Sequence, residues 1–130
     1  MYRLLYRSQA AEGVGASDTF EIIATSELNN PRQEITGFLL HESDRFLQYL
    51  EGPVLGVESL VARIETDRRH SDLEVIYRET AQERLFDDWS MKHLITFGER
   101  PALEQLQEIL AGKDDGVRLL KEVRAFVSRR

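Results

Sequence analysis

ITGFLLHESDRFLQYLEG, residues 35–52, holds two β-rich runs, Ile35 to His41 and Arg45 to Leu50, parted by Glu42-Ser43-Asp44. A polar connection that short joins antiparallel neighbours, so the stretch is read as a hairpin of two strands. Within its second run, alternation puts Phe46, Gln48 and Leu50 on one face. Upstream, residues 2–8 alternate Tyr2, Leu4, Tyr6 and Ser8 against Arg3, Leu5 and Arg7, which is a strand period. Between that strand and the hairpin, a loop from Ala10 to Ala16 carries Gly13 and Gly15. Asp18 then precedes Glu21 at capping-box spacing, and Phe20, Ile23, Ala24 and Leu28 follow at helical intervals. A first helix is expected from about Thr19 to Leu28, stopped ahead of Pro31.

Downstream of Gly52-Pro53, the stripe Val54, Val57, Val61 and Ile64 predicts a second helix ending near His70. Leu73 to Thr80 and Trp89 to Phe97 read as two further strands. The order β-α-β-β-α-β-β is that of an α+β, ferredoxin-like sandwich: a mixed five-stranded sheet with two helices on one face. After Pro101, Leu103, Leu106 and Leu110 mark one short helix, and Leu119, Leu120, Val123, Phe126 and Val127 mark another. Both are amphipathic, so this tail should pack either on the bare sheet face or on another subunit.

The 130 residues suit one domain, and 42% hydrophobic against 31% charged residues is a globular composition. A net charge of −6 argues against a nucleic-acid reader, which needs a basic face. The absence of cysteine excludes disulfides, thiolate metal sites and cysteine nucleophiles. Met1 to Arg7 has no signal-peptide run and no stretch reaches membrane-spanning length, so a cytoplasmic location, off the membrane, is expected.

Several polar residues ask for a partner. Gln48 puts a primary amide among apolar neighbours, where an unpaired amide would cost roughly 1–3 kcal/mol. It is either a structural glutamine bonded to backbone or half of a pair with Tyr6, whose hydroxyl has the same need. Asn29-Asn30 either stops the first helix or presents amides to a ligand. Arg63, Asp67 and His70, at i, i+4 and i+7, form either a solvated face or a polar ligand wall on the second helix. His41, His70 and His93 lack metal spacing, Gly13-Val14-Gly15 lacks a Walker lysine, and no serine stands in a nucleophile elbow, so no enzyme is expected.

Taken in order, Tyr6-Arg7-Ser8-Gln9, Asn29-Asn30-Pro31, Ile35-Thr36-Gly37, Phe46-Leu47-Gln48-Tyr49-Leu50-Glu51-Gly52, Asp67-Arg68-Arg69-His70 and Trp89-Ser90-Met91 resemble the BLUF family, blue-light sensors using FAD. The resemblance implies a flavin-binding domain over residues 1–98 and a C-terminal helical extension over 99–130. It implies non-covalent FAD, with FMN or riboflavin as alternatives, held by Asn29, Asn30, Gln48, Arg63, Asp67, Arg69 and His70. Tyr6 would give an electron and a proton to the excited flavin, and Gln48 would relay the proton and rearrange. Ser8 stands near the tyrosine, and Trp89 and Met91 would carry the change toward the C-terminal helices. Glu34 departs from the pattern, standing where many members have glycine, and should alter a turn beside Asn30.

The expected function is therefore a non-enzymatic photoreceptor that signals to a partner protein or through a homo-oligomer. No catalytic or DNA-binding domain fits in the residues after Pro101. The alternatives are a light-insensitive, small-molecule-binding regulatory domain of the same fold and an acylphosphatase-like hydrolase.

Overall fold

The structure, a computed structural model, describes residues 1–10, 34–42, 45–66, 70–86, 92–95 and 100–128. The chain opens with strand β1 (Tyr2–Ala10), and the hairpin forms β2 (Thr36–Glu42) and β3 (Arg45–Gly52). Helix α1 (Val54–Glu65) is followed by β4 (His70–Thr80) and the short β5 (Lys92–Ile95). The chain continues with α2 (Arg100–Leu110), a single 3-10 turn (Asp114–Gly116) and α3 (Val117–Ser128). The helix expected at Thr19 to Leu28 lies outside the described residues.

The strands lie in the order β4-β1-β3-β2-β5. β3 is antiparallel to both β1 and β2, β4 is antiparallel to β1, and β5 runs parallel to β2. β1 and β2 are therefore parallel with β3 inserted between them. Gly37 fixes the β2·β3 register. A Cβ there would stand 1.9 Å from the Tyr49 carbonyl oxygen, so only glycine lets the strands approach.

Each face of the sheet has its own core. On one, Leu4, Tyr6, Leu39, Phe46 and Leu50 pack with Ile35 and with Val57, Leu60 and Val61 of α1. On the other, Leu5, Phe38, Leu40, Leu47 and Tyr49 meet Leu106 and Leu110 of α2 and Leu119, Val123, Phe126 and Val127 of α3. The apolar stripes of the tail are thus buried on the chain's own sheet, which decides between the two expected destinations.

Two boundaries differ from the sequence reading. α1 does not reach His70: Thr66 ends it, its backbone N–H and its hydroxyl both donating to the Arg63 carbonyl. β4 starts at His70 rather than Leu73, with Asp72 at φ 52 where the β1·β4 register shifts. Arg63 and His70 consequently sit on different elements, so no one helical face carries both, and Asp67 lies outside the described residues.

Candidate functional site

Tyr6 and Gln48 are direct register partners across β1 and β3. Alternation sends both side chains to the α1 face, where the Tyr6 hydroxyl donates to Gln48 Oε1. Tyr6 is 0% and Gln48 1% exposed. A hydrogen bond so enclosed is stronger than in water, and breaking it on one side leaves a costly group behind. Leu39 stands opposite Gln48 on β2, and Val75 stands opposite Tyr6 on β4. The phenol and the amide are thus a polar pair within an apolar wall. Ser8, buried, is paired in register with Phe46 one step along the same face.

α1 covers this wall and carries Arg63, exposed, in its last turn. His70 opens β4 opposite Ala10. Asn29, Asn30, Asp67, Arg69, Trp89 and Met91 lie outside the described residues. Glu34 occupies a turn at φ 57, a left-handed conformation that favours glycine, so the departure at that position carries a backbone cost.

The opposite face holds a charged centre that the sequence reading passed over. Glu51 is fully buried. Its Oε1 accepts from the Tyr49 hydroxyl at 2.9 Å and the Leu85 N–H at 2.9 Å. Its Oε2 accepts from Thr36 Oγ1 at 3.1 Å and the Phe86 N–H at 2.7 Å. Every partner is a donor, which suits a carboxylate that can only accept. Burial, reinforced by the Glu51 charge, pushes the Tyr49 phenol far above its usual range. Arg3, the register partner of Glu51 on β1, is also buried, and it bonds the Glu83 carbonyl at 2.8 Å and Asp115 at 3.4 Å. No local sequence pattern marks Glu51, because its donors come from residues 36, 49, 85 and 86.

The sequence profile of the family described as sensors of blue-light using FAD, BLUF, matches residues 1–92. The chain belongs to the BLUF family. It is a flavin-using blue-light sensor by that membership. The photoactivated adenylate cyclase subunit beta of Euglena gracilis is 38% identical over 89 residues, which are 68% of this chain and 10% of that protein. The subunit alpha of the same organism is 37% identical over 83 residues, 64% of this chain and 8% of that protein. The chain thus spans about a tenth of the length of these curated relatives. Among solved structures, the BLUF protein BlrB in its dark state superposes with a TM-score of 0.75 at 31% identity, covering 96% of both chains. BlrP1 of Klebsiella pneumoniae, in a calcium and cyclic-diGMP complex, gives 0.84 at 30% identity, covering 98% of this chain and 34% of that one. Among the described residues of this BLUF chain, no helix is long and apolar enough to cross a membrane, and no acidic or histidine cluster could hold a metal.

Proposed function

We propose that this BLUF chain stores light as a changed hydrogen-bond pattern at Gln48 and signals through its C-terminal helices, without catalysing a reaction itself. The observation that carries the proposal is the buried Tyr6–Gln48 hydrogen bond. The residues present fit a flavin: Gln48 supplies an amide, with donor and acceptor ends, to a wall otherwise made by Leu39, Phe46, Leu50 and α1. A flat ring with a polar edge needs that mixture. Asn29, Asn30, Arg63, Asp67, Arg69 and His70 complete the binding set in this reading. FAD, FMN and riboflavin share the ring these residues would meet. The fold is then a ferredoxin-like sandwich, with residues 1–98 as the sensor and 99–130 as its extension, acting in the cytoplasm.

Bound flavin supplies the absorption of blue light and the pull for an electron. Tyr6 is the donor, and loss of an electron makes its phenol strongly acidic. The proton moves along the existing bond from Tyr6 Oη to Gln48 Oε1. An amide protonated there would release its Nε2 proton to the bound flavin, which would also hold the electron, and could turn about its terminal torsion, which has two broad wells. Once the electron and the proton had returned from the flavin to Tyr6, only the hydrogen-bond pattern around Gln48 would differ. Trp89 and Met91 pass that difference toward the extension, and a downstream protein or a second copy of the chain reads it.

The test is the visible spectrum of the flavin-loaded protein before and after blue light. A reversible red shift of the flavin band is expected in the wild type and should vanish in Tyr6→Phe and in Gln48→Leu, both still yellow. A normal shift in either variant overturns the mechanism, and a protein that never takes up flavin favours the light-insensitive alternative.

A further inference from the structure

The two faces of β3 do different work. Gln48 points to the α1 side, and Glu51, three residues on and hence on the opposite side, lies about 10 Å away along the same strand. From the Glu51 carboxylate, bonds run to two consecutive backbone amides, Leu85 and Phe86. The Leu85 carbonyl in turn accepts from Lys113 Nζ at 2.8 Å, at the junction of α2 and α3. Arg84, the residue before, donates to Thr36 Oγ1 and to the Glu51 and Glu34 carbonyls. Residues 84–86 are thereby fastened to β2 and β3 on one side and to the extension on the other, immediately ahead of the stretch that carries Trp89 and Met91.

We infer that Glu51 is a positioning residue for signal output, passing the state of Gln48 through β3 to residues 84–86 and on to α3. The inference rests on the photochemical reading above and extends it to a second route beside Trp89 and Met91. Its physical content is stiffness. A carboxylate that receives four hydrogen bonds in a dry interior has no slack, so a shift of β3 relative to its neighbours moves the two amides with it. A purely apolar contact at this point would let the strand slide. Two buried oxygens without their donors would be costly, so the segment follows.

The experiment compares wild type and Glu51→Gln, full-length and flavin-loaded, by visible spectroscopy and by amide hydrogen exchange in the dark and under blue light. The variant keeps the side-chain volume but turns one acceptor oxygen into a donor amide facing donors. Wild type should show the red shift together with a light-dependent change in exchange across Val117–Ser128. Glu51→Gln should keep the red shift and lose that light-dependent change. A merely structural role would raise exchange equally in dark and light, leaving the difference intact, and that result overturns the inference. Should Glu51→Gln not accumulate folded, Lys113→Met tests the route from its far end, and an unchanged light-minus-dark difference there overturns it equally. A wild type without the red shift refutes the photochemical reading instead, so the two failures are told apart.

Discussion

Replacing Tyr6 and Gln48 singly and together measures the pair that the mechanism depends on. Tyr6→Phe leaves Gln48 Oε1 buried without the phenol's hydrogen. Gln48→Leu leaves the Tyr6 hydroxyl buried without the amide oxygen. Each single change removes the same buried hydrogen bond, a net loss of about 0.5–1.5 kcal/mol. The double variant removes both polar groups while nearly keeping their volumes, which is close to neutral, within about 1 kcal/mol. The double-mutant cycle should therefore return a coupling of roughly 1 kcal/mol between the two sites. The assay is urea unfolding followed by far-ultraviolet circular dichroism at fixed flavin. Each variant's flavin affinity is measured separately so that its mass-action contribution can be subtracted. Simple additivity, with a coupling below about 0.5 kcal/mol, would show that the two groups do not depend on each other.

The buried phenols make an alkaline prediction. Burial raises the pKa of both Tyr49 and Tyr77, with the charges of Glu51 and Glu79 adding to it. A raised folded value favours the native state up to the unfolded value near 10, and that advantage shrinks as pH climbs above it. Stability measured by urea titration should hold to about pH 10 and then fall by roughly 2.7 kcal/mol per pH unit for the two phenols together. A flat profile to about pH 11.5 would contradict their burial. At the turn before β2, Glu34→Gly relieves a left-handed residue while keeping the carbonyl that Arg84 holds, so thermal unfolding should show a gain of about 0.5–1 kcal/mol. A loss there would mean that the glutamate side chain itself contributes.

Much of this arrangement follows from short-range patterns. Period-two alternation is enough to send Tyr6 and Gln48 to one face, because the side-chain direction of a strand has no other freedom. Amphipathic spacing likewise marks the faces of α1, α2 and α3. Spacing does not say where a helix stops. Arg63, Asp67 and His70 keep a helical interval, yet the Thr66 hydroxyl on the Arg63 carbonyl closes the helix first. Nor does amphipathicity name the surface that a stripe will cover, and the tail could be seen packing on its own sheet only once the sheet was in place. Glu51 and Arg3 were hidden for a related reason. A charge in a strand reads as solvent-facing, and here its compensation comes from residues 36, 49, 85 and 86 for one and 83 and 115 for the other. No local window contains them all.

The bond from Arg3 to Asp115 spans 112 positions of sequence. β1, the earliest of these strands in the chain, becomes an interior strand flanked by β3 and β4, and one of its faces is closed by α2 and α3. Until those later pieces emerge, Leu5 has only the sheet's own side chains beside it, and the Arg3 guanidinium meets Glu79 of β4 but not yet Asp115. A nascent chain of this design can close its α1 face once Val75 has emerged, but the opposite face stays incomplete until synthesis has passed α3. Contacts so distant in sequence slow the search for the native state, so closure of the face under α2 and α3 should be the late event.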